Sequence, residues 1–215
     1  MGARFFELLM ADLPGGFART LVERMPLIYA EAHESVVSDP RFGEPEARYL
    51  HGHMRRALVE SALREVATSF GVDVDMRRAD GVGGPEHVAL RIGRFRFTAC
   101  HVDHITGFPR ESRYRGQYSL INEHAAQVQL FPTPSSPGDA AIYGIVIHSE
   151  TADDKARLGT LSIGFPNVAC DDWLEAPIPI VDLADAQDRP AGPESGSGEP
   201  TPKWKRGAGK KASGE

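Results

Sequence analysis

Six arginines, Arg91, Arg94, Arg96, Arg110, Arg113 and Arg115, fall within 25 residues that contain only two acids, Asp103 and Glu111. A guanidinium donates two parallel hydrogen bonds to a carboxylate or a phosphate, so this run points to an anion-binding surface. Spacing sharpens the reading. Val88, Leu90 and Ile92 alternate with Ala89 and Arg91, and Gly93-Arg94 then forms a two-residue loop into Phe95, Phe97 and Ala99, which predicts a β-hairpin with a type II′ turn. In that register Ile92 faces Phe95, Arg91 faces Arg96 and Leu90 faces Phe97, giving one apolar face and one that carries arginines. Like charges directly opposed destabilise a hairpin unless something negative sits between them. The anion is then a nucleic-acid backbone or an acidic patch on a partner; the alternative is pairing with the chain's own Asp and Glu.

Eight histidines raise the question of a metal. In HGH, positions i and i+2 of a helix point about 200° apart, so His51 and His53 cannot chelate one ion. HVDH is the better candidate: a strand ending after Cys100 would let His101, Asp103 and His104 converge in a loop, with His124 or His148 as a further ligand. No cofactor is expected apart from a divalent metal at that triad. Cys100 next to His101 is not a nucleophile and base as it stands, because neighbouring strand residues face opposite sides of a sheet. Cys170 is followed by Asp171 and Asp172, which would raise its thiol pKa. Glu31 and Glu34 flank His33, and Asp153 and Asp154 sit in turn material, where aspartates bond their own backbone. The hairpin offers arginines where a strand-borne nuclease site would need carboxylates and a lysine.

These residues need elements to hold them. A first helix carries Phe5, Phe6, Leu8 and Leu9 and stops at Pro14-Gly15-Gly16. A second runs from Phe17 to Val37, with Pro26 expected to kink it or move its start. A third begins at Glu44-Pro45, carries Leu50, Met54, Leu58, Ala62, Val66 and Phe70 at four-residue intervals, and ends at Gly71. The apolar run AAIYGIVIH reads as a strand covered on both faces, and Leu158 to Phe165 as its hairpin partner. Between the two hairpins, Gln117 to Leu130 suits a helix and Phe131 to Gly138 a proline-rich loop. Helices first and strands second argue for an α+β fold with N-terminal helices packed on a mainly antiparallel sheet.

The expected division is one domain over 1–184, helical over 1–71 and β-rich over 86–182, followed by a disordered basic tail over 185–215. That tail has 13 Gly, Pro or Ser in 31 residues, and its only large apolar residue is Trp204. Such a segment cannot bury enough surface to offset its ordering entropy. Lys203, Lys205, Arg206, Lys210 and Lys211 surround the Trp, which suits either contact with nucleic acid or a protein groove, or a solubilising role.

With 215 residues, 41% of them apolar, the chain can build a core without disulfides or a structural metal. Residues 1–184 hold 18 basic against 25 acidic residues, which disfavours broad duplex binding. No phosphate-binding loop, dinucleotide fingerprint, H-E-x-x-H or G-x-S-x-G occurs. No stretch has the length of a membrane helix, the N-terminus does not read as a secretory leader, and two cysteines read as reduced thiols, so the expected location is the cytoplasm with no membrane partner.

GRFRFTACHV, the basic RESRYRGQYS, AAIYGIVIHSE and GTLSIGFPNVACDDWL, spanning residues 94–173, resemble small uncharacterised bacterial and phage proteins encoded beside regulators as toxin–antitoxin partners. The resemblance implies a regulatory or defence-related setting and carries no active site. The reading is a protein that binds a partner protein through the arginine hairpin. The alternatives are a metal-dependent nuclease or hydrolase acting on nucleic acid at His101, Asp103 and His104, and a single-strand nucleic-acid binder that stacks bases on Phe95 or Phe97.

Overall fold

The computed structural model describes residues 4–78, 86–103, 107–123 and 141–189. Three helices come first: α1 (Arg4–Asp12), α2 (Phe17–Val37) and α3 (Glu44–Ser69). They are followed by β1 (Asp73–Arg78), β2 (Glu86–Ile92), β3 (Phe95–His101), α4 (Arg113–Ser119) with a single 3₁₀ turn at Leu120–Asn122, β4 (Ile142–Glu150), β5 (Leu158–Gly164), β6 (Ile178–Pro179) and α5 (Ile180–Asp188). The six strands form one sheet in chain order, antiparallel except where β3 meets β4. The α+β architecture, with helices on a mainly antiparallel sheet, is the one expected.

Alternation explains the two-sided packing. Leu90, Ile92, Phe95, Phe97, Val146 and Ile163 point to the helices and join Phe5, Leu21, Met25, Leu63 and Leu183 in the main core. Tyr143, Ile145 and Ile147 point the other way and pack with Val102, Tyr118 and Trp173. β4 is therefore buried along nearly its whole length, as its continuous apolar run requires. Gly144 is part of that fit, because a Cβ there would lie 2.6 Å from the Phe97 ring. Phe165 stacks on Phe5 with ring centroids 4.2 Å apart, fastening β5's end to α1.

Two features carry no expectation from the sequence, and three expectations need correction. β1 falls on polar residues, DVDMRR, for which no element is expected from the sequence; it forms because the exposed edge of β2 offers unpaired backbone groups. The first hairpin's second strand pairs parallel with β4, which the 40 residues between them permit. The helix expected at Gln117–Leu130 starts earlier, at Arg113, and residues 124–140, including the proline-rich stretch, lie outside those described. Chain order continues through α5 to Asp188, so the tail does not begin at Asp185: Leu183 and Ala184 are buried, and Arg19 binds both Asp185, at 2.8 Å, and Asp188, at 2.7 Å. Residues 190–215 lie outside the described set.

The third correction concerns α3. Its four-residue stripe advances about 40° per step around a helix of 3.6 residues per turn, so it cannot stay on one face. The buried set is His51, Arg55, Val59, Ala62, Leu63, Val66 and Ala67, while Met54 is exposed. Two polar residues, His51 and Arg55, therefore face inward. α2 meanwhile begins at Phe17 and passes through Pro26.

Candidate functional site

The hairpin forms in the expected register: Leu90 with Phe97, Arg91 with Arg96, and Ile92 with Phe95. Gly93 has φ 53° and Arg94 does not, which is the type II′ pattern. Beyond this pairing the six arginines separate. Arg91 and Arg96 lie on one row with Asp73 of β1, and neither makes an ion pair with an acid among the described residues. Arg94 does not join that row, because its side chain and backbone N–H both bind Asp12, at 2.8 and 2.9 Å, and this clamps the turn to the end of α1. Arg113 is exposed. Arg110 binds Asp103 at 2.8 Å on the surface, and Arg115 is buried. Phe95 and Phe97 are buried in the core, so they offer no face to a nucleic-acid base.

A cavity of about 650 Å³ opens where β3 and β4, the parallel pair, end. The carboxyl ends of parallel strands are where open sheets commonly seat ligands, since the chain leaves there and no side chain fills the crevice. Its walls come from α3, the strand ends and the segment from Phe108 to Arg115. His101 and His148 are register partners at this rim, with ring centroids 5.7 Å apart.

A partly buried polar chain runs from helices to sheet beside it. Arg55 Nη1 donates to Glu150 Oε2 at 2.5 Å, and His101 Nε2 binds the same oxygen. Burial pushes the Glu150 carboxyl up, but the hydrogen bond from His101 and the Arg55 charge outweigh it and bring it down to about 2. The carboxylate is thus ionised at neutral pH and accepts the His101 Nε2–H. The other ring nitrogen, Nδ1, lies 4.0 Å from Asp103 Oδ1. His148 is fully buried; burial first, then the neighbouring His101 and Arg55, lower it to about 3, so it is neutral. Its Nδ1 lies 2.6 Å from the Tyr29 hydroxyl, which burial pushes up, and the Arg55 guanidinium sits 5.5 Å from the Tyr29 ring. This arrangement can orient a histidine for proton transfer and hold a fixed negative charge beneath it.

The other candidates are placed as follows. Of the HVDH triad, His101 and Asp103 stand at the cavity rim and His104 lies outside the described residues. Among the described residues no group of three or more His, Cys, Asp or Glu is positioned for a metal ion. His51 is buried against His33 while His53 lies exposed against Tyr49, as opposite helix faces require. Cys100 packs on the face away from the helices, and burial pushes its thiol up; burial does the same for Cys170. Asp154 accepts the backbone N–H of Ala156, the expected turn role.

Sequence reasoning missed Tyr29, Arg55 and Glu150. A signal for Arg55 existed: stepping back from Val59 by helical intervals lands on Arg55 and then His51, polar residues on a face otherwise apolar. Glu150 ends a strand of buried residues, which also marks it. Among the described residues no helix is long and apolar enough to cross a membrane. Compared with family models, curated proteins and solved structures, the chain matches none.

Proposed function

We propose that the protein works by binding an acidic macromolecular partner, a regulatory or defence-related protein in the manner of toxin–antitoxin pairs, through the open face of the β2–β3 hairpin in a reducing, cytoplasmic setting. One observation carries this reading. Arg91 and Arg96 are direct cross-strand partners, with a single acid, Asp73, on their row and no ion pair to either arginine among the described residues. Two guanidiniums in that relation gain when a partner carboxylate enters between them. The net charge of −6 favours acidic side chains over a polyanionic duplex as the occupant. The test uses the wild type and an Arg91→Ser, Arg96→Ser double variant as baits in the native host, followed by calorimetry with the captured protein. Loss of one acidic protein and affinity weaker by about 2–5 kcal/mol are expected. Equal affinity with an unchanged circular dichroism spectrum overturns the reading.

A second reading, a hydrolase acting on phosphate esters of nucleic acid, is favoured by one feature: the His101 imidazole held at Nε2 by an ionised Glu150 beside the cavity. His101 would take a proton from the attacking hydroxyl, with a divalent metal at Asp103 and His104 as the further element of this reading. Incubation of the chain with RNA and DNA oligonucleotides, with and without added divalent metal, decides it. Cleavage that disappears in His101→Ala supports the reading, and no cleavage under any condition removes it.

A further inference from the structure

The charges on the cavity wall do not balance. Four arginines line it. Arg55 has Glu150 at 2.5 Å, Arg56 has Glu60 at 3.3 Å and Arg110 has Asp103 at 2.8 Å. Arg115 has no carboxylate within ion-pair distance among the described residues, although only 8% of it is exposed. Its hydrogen bonds go to neutral groups: Nη1 donates to the Tyr114 hydroxyl at 2.9 Å and Nη2 to the Arg110 carbonyl. The Tyr114 ring lies 5.1 Å from the guanidinium, and Nε is buried with no acceptor.

Among the described residues no nearby side chain supplies the missing charge. Cys100, Tyr114 and Tyr143 surround Arg115, and burial pushes the pKa of each upward, so all three are neutral at pH 7. Residues 104–106, His-Ile-Thr, contain no carboxylate. A buried cation without a counter-charge costs several kcal/mol, and native interiors pair such groups. Two of the guanidinium's five N–H groups are used; the remaining three, including Nε–H, have no acceptor among the described residues, and oxyanion oxygens are the acceptors that a guanidinium fork matches. Arg56, paired with Glu60, stands on the same wall, and its field reaches Cys100 and Tyr114 beside Arg115. A volume of about 650 Å³ admits far more than an isolated anion and suits a small ester.

We propose that this cavity binds the phosphate group of a small phosphate ester, with Arg115 as the residue that holds it. The site is separate from the hairpin face, since neither Arg91 nor Arg96 lines the cavity, and it stands whether or not His101 performs chemistry.

The test is calorimetric titration of the full chain with inorganic phosphate at constant ionic strength, with acetate as the comparison anion. Saturable millimolar or tighter phosphate binding, weaker acetate binding, a loss of about tenfold or more in Arg115→Met and partial retention in Arg115→Lys are expected. The Arg91→Ser, Arg96→Ser variant should bind phosphate as the wild type does, which separates this site from the partner surface. Absence of saturable binding, or equal binding by Arg115→Met, overturns the proposal, and acetate binding as tightly as phosphate overturns the assignment to phosphate. Should Arg115→Met fail to fold, modification of wild-type arginines by phenylglyoxal, read by peptide mass spectrometry, takes its place: slower modification of Arg115 in phosphate supports the site, and an unchanged rate rejects it.

Discussion

The hairpin face and the cavity wall hold the same residue type under opposite physical conditions. Arg91 and Arg96 stand on a sheet face with solvent available, so their mutual repulsion is screened and their local energetic weight is small. Arg55 and Arg115 are 6% and 8% exposed, where an unpaired charge is costly and each partner therefore matters. The lesson is that a cluster of charges along a sequence says little about energetic importance. What counts is the depth at which each guanidinium ends and which carboxylate reaches it.

The largest effect should come from breaking the buried pair. Glu150→Ala leaves Arg55 without its carboxylate and should cost about 3–5 kcal/mol of unfolding free energy, measured by urea titration. A cost below 1 kcal/mol would mean that the cavity charges are as well solvated as those of the hairpin, and the contrast would fail.

The next effect separates the regions by pH. His148 is depressed to about 3 from an ordinary value near 6.5, so below 6.5 the unfolded chain binds a proton that the folded chain refuses. Its contribution is fully present above pH 6.5 and declines as pH falls toward 3, with a slope of up to about 1.4 kcal/mol per pH unit. Glu150, depressed to about 2, acts in the same direction from about pH 4.5 downward. Unfolding free energies measured between pH 7 and 5, above the Glu150 range, should therefore slope in the wild type and slope less in His148→Gln, where buried His51 and His87, also lowered by burial, keep a remainder of the same sign, whereas the hairpin arginines stay charged throughout and should leave the slope unchanged.

The smallest effect belongs to the hairpin itself. Arg91→Ser with Arg96→Ser should move stability by less than about 0.5 kcal/mol. Arg94→Ala, which releases the Asp12 clamp, should cost about 1 kcal/mol by the same melting or urea measurement. A double-serine variant less stable than Arg94→Ala would show that the open face has hidden structural partners and reverse the comparison.

Much of the fold was legible. Gly93-Arg94 fixed the register of its neighbours because a two-residue loop leaves one way to align the strands, and β4 announced its double coverage by lacking polar alternation. β1 was hidden, since an edge strand with an exposed polar pattern carries no hydrophobic period to detect. Of the candidate site, His101 and Asp103 were visible as a cluster in HVDH, while Tyr29, Arg55 and Glu150 became a group only when α2, α3 and β4 met.

The amino-acid order by itself determined the three N-terminal helices, the hairpin pairing of Arg91 with Arg96 and the two-faced burial of the central strand. The helices and the hairpin depend on contacts between residues near in sequence, where period and turn geometry dictate the answer, and the strand's two-faced burial follows from its unbroken apolar run. Only the tertiary structure decided that Arg94 is a clamp, that Arg115 is buried without a carboxylate among the described residues and that His101 shares Glu150 with Arg55. These outcomes depend on groups as far apart as Arg55 and Glu150, 95 positions along the chain, and their energies are set by burial, which no local pattern encodes.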